Sequence, residues 1–331
     1  MKKTLSILLS VFLIAACLLP AFASGENLTG GAYKRVFIIG VDGAGRFFKN
    51  ADTPNFDRIF ADGAVDYTAR AETVTVSAQN WGAILTGVSA IQHGMTNETT
   101  GENERSSDTK YPSIFTLVHK AMPDATLASF CNWDNINYGI IENDIGVMKD
   151  HVGDDGALTD KICDYFNAGN DPTLFFVQFD SVDHYGHESG SKSDDFINQI
   201  SVVDGYIGRI HDTLDANGLL EDSLFIVVAD HGHTISGGHG GITMRETNVT
   251  LAVSGKSVVK GGKMDADARN RDVAAISLYA LGVERPEYMT SRVPANLFTD
   301  VIGEPRPVHK DLLDFIVASL AWIVTCVTAI F

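Results

Sequence analysis

The sequence predicts an α/β fold in which a mostly parallel central sheet is sandwiched by helices, with no large cap domain. Three observations predict it. Short apolar runs read as strands buried on both faces, helical segments alternate with them, and several of the runs end on an acid beside glycine or histidine. At 331 residues the chain can bury a full core, and we read one large domain over 24–303.

Taken in order, Lys2-Lys3, the apolar Leu5 to Leu19 and the small-residue site Ala21-Phe22-Ala23 form the three regions of a secretory signal peptide over 1–23, which predicts export. Ile14-Ala15-Ala16-Cys17 offers an alternative lipoprotein cleavage site, although the apolar run continues past Cys17. Val36 to Val41 is a buried strand ending at Asp42-Gly43, and Pro54 opens a helix that runs through Ile59. Val65 to Ala71 reads as an edge strand, and Ser77 stands directly before a helix from Ala78 to Leu85 closed by Gly87. The polar segment 95–110 reads as a mobile surface loop. A helix follows over Tyr111 to Ala121, then a strand over Thr126 to Phe130 leading into Cys131-Asn132-Trp133, and a helix over Gly156 to Asn167.

Leu174 to Phe179 is a buried strand running into Asp183-His184-Tyr185-Gly186-His187. In Asp194 to Asn217 apolar residues recur every three or four positions, the mark of a long amphipathic helix. Leu224 to Ala229 is an unbroken apolar strand ending at Asp230-His231, with His239 in the glycine-rich loop beyond. Val249 to Val253 adds a strand and Asp272 to Leu281 a last helix. After a polar hinge over 304–314, the uncharged run of 17 residues from Phe315 to Phe331 reads as a C-terminal membrane anchor, with a buried terminal helix as the alternative.

Charge and cysteine content narrow the function. Removing the signal lysines takes the formal charge from −17 to −19, which argues against a nucleic-acid or anionic-membrane surface. Outside the two terminal segments only Cys131 and Cys163 remain, too few for a disulfide framework or a thiolate zinc site; we read them as buried thiols, with one pairing as the alternative. A metal here must use carboxylate and imidazole.

In an open parallel sheet, ligands gather beyond the carboxyl ends of the strands, where Asp42, Asp183 and Asp230 all fall. Any one of them alone reads as a turn former. Three acids at equivalent ends, accompanied by His187, His231 and His239, instead predict a metal site. Aspartate and histidine without thiolate suit zinc, and less well manganese or iron, and six side chains exceed one tetrahedral site, so two divalent cations are expected. A cation pair suits displacement at phosphorus. Ser77, at a helix N-terminus, reads as an N-cap on local sequence and as a metal-contacting nucleophile once the cation pair is considered. Asn80, one turn on, could offer its amide to a phosphoryl oxygen. Trp133 and Tyr185 on carboxyl-end loops are candidate walls of a substrate pocket; His184 and His233 are read as neighbours of the ligands, and His93 as the residue fixing a turn beyond the Ser77 helix.

Val41-Asp42-Gly43, Thr53-Pro54-Asn55-Phe56-Asp57, Ser77 to Gly87 with Gln92-His93-Gly94-Met95, Asp183-His184-Tyr185-Gly186-His187, Asp230-His231-Gly232 and Gly238-His239-Gly240-Gly241 occur in this order over about residues 35–300. In this the chain resembles the alkaline phosphatase superfamily, and within it the type I phosphodiesterase and nucleotide pyrophosphatase branch. The resemblance implies one metal held by Asp183, His187 and His239 and another held by Asp42, Asp230 and His231 and contacted by Ser77. It further implies attack by Ser77 on phosphorus, a phosphoserine intermediate and its hydrolysis by water, with Asn80 matched to an asparagine that helps hold the phosphoryl oxygen. The chain departs from that branch in having Ser77-Ala78-Gln79-Asn80 for a threonine followed by Pro-Asn, and in the short spacing from His231 to His239. These departures weigh against a nucleotide substrate and are consistent with a compact phosphatase-like member. The reading is therefore an exported phosphohydrolase acting on a small phosphate ester, monoester or diester. Its rivals are a phosphoryl or phosphoethanolamine transferase on the same site and a non-catalytic metal-binding surface module; the oligomeric state is left open.

Overall fold

Among the described residues, short and largely apolar runs become the middle of the sheet. In the computed structural model, which describes residues 31–301, β1 (Arg35–Val41) lies between β5 and β6 and is parallel to both. The signal peptide read at 1–23, the hinge at 304–314 and the apolar run at 315–331 lie outside the described residues. Among the described residues, no helix is long and apolar enough to cross a membrane.

In chain order, β1 is followed by α1 (Pro54–Ile59), β2 (Ala64–Arg70), α2 (Ser77–Thr86), α3 (Asn97–Glu102), α4 (Ile114–Ala121), β3 (Leu127–Cys131), β4 (Met148–His151), α5 (Asp155–Asn167) and β5 (Leu174–Phe179). Then come α6 (Ser181–Ser189), α7 (Asp194–Ala216), β6 (Ser223–Ala229), β7 (Asn248–Ser254) and α8 (Asp272–Leu281). One seven-stranded sheet has the order β2-β7-β6-β1-β5-β3-β4. It is mostly parallel, with β7 antiparallel to both β2 and β6.

Alternation along the strands builds a core on each face. Phe175 meets Phe166 of α5 with ring centroids 5.0 Å apart, while the next residue, Phe176, meets Trp81 of α2 at 5.7 Å on the other side. Helices α1, α5 and α6 pack around α7, whereas α2 and α4 pack with α8. Asp204 of α7, fully buried, receives the backbone N–H groups of Asn55 and Phe56 at 3.0 and 2.7 Å and so caps α1.

The structure departs from the sequence reading at three elements. Segment 95–110 is not a plain loop: Thr96 accepts a hydrogen bond from the Thr99 N–H at 3.2 Å and starts α3. The stretch holding Asp183 and His187 is helical, although its polar composition and Gly186 give little helical pattern. Strand β4, Met-Lys-Asp-His at the sheet edge, has no apolar alternation to betray it. Cys131 and Cys163 are both free; Cys131 is buried, and burial pushes its thiol up to about 12, whereas Cys163 is only half-buried.

Candidate active site

The three central strands finish level with one another, because Val41 pairs with Phe179 on one side and Ala229 on the other. Asp42 and Asp230 are the next residues and are fully buried. Each carboxylate is held by one oxygen and leaves the other without a partner. Asp42 Oδ2 accepts from Trp81 Nε1 at 2.8 Å and Gln178 Nε2 at 3.0 Å, and Asp230 Oδ1 accepts from the N–H groups of His231 at 2.7 Å and Gly43 at 3.1 Å. Asp42 Oδ1 and Asp230 Oδ2 are buried without a hydrogen bond. His231 Nε2 lies 3.5 Å from the first and 3.2 Å from the second.

Burial, and then the neighbouring Asp230 charge, push Asp42 well above the usual carboxylate range; burial does the same to Asp230 and holds the His231 imidazole neutral. Two buried anionic oxygens and a neutral imidazole nitrogen converging in this way match the donor set of a divalent cation, which would satisfy all three.

Two glycines make the arrangement possible. A Cβ on Gly40 would stand 2.5 Å from the Trp81 ring that reaches Asp42. Gly43 has φ +67°, and a Cβ there would stand 2.7 Å from the Asp183 Cα.

A second cluster lies beside the first. Asp183 and His187 are four residues apart on α6 and so share a face, with His187 Nε2 3.3 Å from Asp183 Oδ2. His239 Nε2 lies 3.1 Å from His187 Nε2 and 3.6 Å from Asp183 Oδ1. His239 is aimed by its other nitrogen, Nδ1, which sits 2.7 Å from the Thr75 carbonyl and donates to it, leaving Nε2 as a lone pair. Thr75 Oγ1 also takes the Gly240 N–H at 3.0 Å, and buried Glu246 takes the Gly241 N–H at 2.7 Å, so the glycine-rich loop is pinned on both sides of the ligand. Burial raises Asp183, but hydrogen bonds from His187 and His233 and the surrounding imidazoles outweigh it and hold this carboxylate below its usual range.

The two groups Asp42, Asp230, His231 and Asp183, His187, His239 each bring their ligand atoms within 4.8 Å of one another. All six side chains singled out in the sequence are therefore gathered in two clusters. His233, fully buried, sits with Nε2 2.8 Å from Asp183 Oδ1 and makes a third such group with Asp183 and His231. His184 is exposed and faces Glu188.

Ser77 is the first residue of α2, not its cap. Val76 occupies the cap position without a side-chain bond of its own, and the Ala78 N–H of the first turn is taken by Asn97 Oδ1 at 3.0 Å. The Ser77 hydroxyl instead lies 3.3 Å from His231 Nε2, in a residue that is 9% exposed. Asn97, whose oxygen thus serves the first turn of α2, lies in the polar segment that sequence reasoning set aside.

The reading of Asn80 is corrected by its surroundings. Asn80 is fully buried, its oxygen accepts from the Glu72 N–H at 2.7 Å and Asn270 Nδ2 at 2.9 Å, and its nitrogen donates to the Val76 carbonyl at 3.1 Å. It braces the turn before Ser77 and has no group left for substrate. Tyr185 falls two residues from Asp183 and two from His187, so the helical period turns it away from the face they share, and its ring packs on His184. Trp133 packs against the core, and its N–H donates to Gln178 Oε1 at 2.9 Å, making it a support for Asp42 through Gln178. His93 does fix the turn after α2, accepting the Met95 N–H at 3.0 Å.

Sequence reasoning also missed Asp155. This buried carboxylate receives the N–H groups of Asp180 at 3.1 Å and Ser181 at 3.0 Å, the Ser181 hydroxyl, and Asn132 Nδ2 at 2.7 Å. It fixes the start of α6, the helix that carries Asp183 and His187.

Comparison with known proteins agrees with this architecture. The GPI ethanolamine phosphate transferase 2 of Aspergillus fumigatus is 24% identical over 261 residues, covering 75% of this chain and 34% of that protein. The human catalytic subunit of the same name is 27% identical over 182 residues, covering 50% of this chain and 18% of that protein. The chain thus spans about a third or less of the length of these relatives. Among solved structures, murine ectonucleotide pyrophosphatase / phosphodiesterase 5 superposes with a TM-score of 0.62 at 14% identity, over 76% of this chain and 96% of that one. Its human counterpart superposes with a TM-score of 0.63 at 13% identity, over the same shares. At such identities the structures attest the fold alone. The family model for type I phosphodiesterase / nucleotide pyrophosphatase matches residues 36–279. Because that match runs from β1 into α8 and spans each strand that ends in a ligand, the chain belongs to the type I phosphodiesterase / nucleotide pyrophosphatase family, within the alkaline phosphatase superfamily.

Proposed function

We propose that the chain cleaves phosphodiesters by attack of Ser77 on phosphorus at a centre of two divalent cations, with zinc the cation that the donor set suits best. The observation that carries this reading is the Ser77 hydroxyl, at the first position of α2 and 3.3 Å from a ligand atom of His231. Asp183, His187 and His239 would hold one cation, and Asp42, Asp230 and His231 the other. The cations would supply positive charge to the attacking and leaving oxygens. The N-terminus of α2 would face charge that develops on the phosphoryl oxygens. The bond from Ser77 Oγ to phosphorus forms as the bond to the leaving alcohol breaks, and water then displaces Ser77.

A diester is preferred over a monoester for an electrostatic reason. Among the described residues no lysine or arginine lies within 4 Å of the carboxylates of Asp42, Asp183 or Asp230, whose basic neighbours at that distance are imidazoles. A monoester brings a second negative charge that has no cationic side chain to meet it, whereas a diester brings one.

A second reading is favoured by the curated relatives, which carry the name ethanolamine phosphate transferase. It keeps the Ser77 step and replaces water by an alcohol acceptor in the second. We further place the catalytic domain outside the cytoplasm, on the signal-like 1–23, with 315–331 as its tether; the support for both is the sequence pattern.

The test is hydrolysis of bis-p-nitrophenyl phosphate and p-nitrophenyl phosphate by the zinc-loaded chain and by Ser77→Ala. A diester preference abolished by the substitution is expected. Turnover that needs an added alcohol supports transfer, and turnover that survives Ser77→Ala overturns the nucleophile.

A further inference from the structure

A cavity lined by none of the Asp and His ligands lies elsewhere on the chain. The chain carries 42 acidic and 25 basic residues, yet Arg46, Lys49, Lys192 and Arg245 converge on one cavity of about 340 Å³ with no acid in its lining. None of the four pairs with a carboxylate within 4 Å among the described residues, whereas Lys34, Arg35, Arg58, Lys161, Arg209 and Lys256 all do. Leaving four cations together in so acidic a chain costs mutual repulsion. Burial, and then the charge of Arg46, depress both Lys49 and Arg245.

The cavity is built, not a chance crowding of surface lysines. Arg245 is half-buried, fastened by a 2.9 Å hydrogen bond from its Nη1 to the Ser191 hydroxyl, and laid over the Phe47 ring at 5.4 Å. Ser191 itself is buried. Arg46 Nε is buried with no hydrogen-bond partner, a donor left unmatched inside a cationic pocket. The floor connects with the cation clusters: Phe47 packs edge-on against Phe196 at 5.4 Å, and Phe196 against His233 at 5.9 Å, the histidine that holds Asp183.

We propose that this pocket binds a phosphate group, gripped by the guanidinium groups of Arg46 and Arg245 and by the Lys49 and Lys192 ammonium groups at its rim. Fork-shaped donors above an apolar floor suit a compact oxyanion. The same chemistry is offered by a soluble phosphorylated molecule and by the headgroup of an anionic lipid, and the experiment separates the two sources.

The zinc-loaded chain and the variant Arg46→Gln/Lys49→Gln/Lys192→Gln are titrated with inorganic phosphate by calorimetry, and each is sedimented with phosphatidylcholine vesicles lacking or containing phosphatidylglycerol. The parent is expected to bind phosphate at a site additional to the metal centre, and the variant to lose that site's affinity by about tenfold or more, as removal of charge-assisted hydrogen bonds entails. Sedimentation with the phosphatidylglycerol vesicles that falls in the variant assigns the phosphate to a lipid headgroup; phosphate binding without sedimentation assigns it to a soluble molecule. Lys49 and Lys192 are exposed, so Lys49→Glu/Lys192→Glu repeats the test without touching the interior. Identical phosphate isotherms and identical sedimentation for parent and variants overturn the proposal. Diester hydrolysis, measured alongside, stays at the parental rate, so loss of the pocket and failure of the Ser77 reading are told apart.

Discussion

His93 should make the chain sensitive to mild acid. Its Nδ1 accepts the Met95 N–H and its Nε2 lies 3.0 Å from the Gln79 carbonyl of α2, so the ring is neutral with its hydrogen on Nε2. Protonation would put a second N–H against that of Met95. Burial pushes His93 down to about 4 from an ordinary value of 6.5. The folded-state value is depressed, so between pH 6.5 and about 4 the unfolded chain binds the proton more readily, and stability falls as pH falls through this window. A gap of about 2.5 units at 1.36 kcal/mol per unit makes the full effect about 3 kcal/mol. Urea unfolding of the parent and of His93→Gln, followed from neutral pH to pH 4, isolates it, because every other titrating group is common to both. The variant begins less stable, and the gap closes by about 3 kcal/mol as the pH falls. A gap that stays constant across the window would refute the assignment.

Two further substitutions probe the supports of the clusters. Trp81→Phe keeps a ring over Gly40 but removes the N–H that holds Asp42 Oδ2, and should weaken zinc binding by about 10- to 100-fold in competition with a chromophoric chelator; parental affinity would show that Gln178 alone suffices to aim the carboxylate. Asp155→Ala leaves the N–H groups of Asp180 and Ser181 and the Asn132 amide without their acceptor, and should lower stability by about 3 kcal/mol in thermal unfolding and reduce the zinc bound per chain. Unchanged zinc content would mean that α6 keeps Asp183 and His187 in place without this cap.

The legible parts of the chain were those in which one physical requirement dominates. Val36 to Val41, Leu174 to Phe179 and Leu224 to Ala229 are buried on both faces, and that demand writes itself as nearly continuous apolar runs. Asp42, Asp230 and His231 were legible because a parallel sheet brings its strand ends to one edge. What could not be read depends on partners distant in sequence. Which backbone groups Asn80 and Asn97 serve is one such case: Glu72 and Val76 claim Asn80, while the Asn97 oxygen takes the Ala78 N–H from nineteen residues away. Trp81 reads as a core residue until Gly40 brings it across to Asp42. The cationic pocket draws on a turn after β1, the residues after α6 and the turn before β7, three places with no common pattern along the chain.

The place of β1 at the middle of the sheet also sets an order of events. Among the described residues the earliest strand, β1, is the one that must end up between β5 and β6, so it waits without either neighbour until residues 174–179 and then 223–229 have been made. Pairing across so much sequence is slow, and an apolar strand kept waiting is exposed to association with other chains. Asp42 meets Asp230 only when this insertion is complete, and His239 comes later still. Cation binding by Asp42, Asp230 and His231 would therefore report that β6 has joined β1, and a chain stopped before residue 239 would lack the third ligand of the Asp183 and His187 cluster.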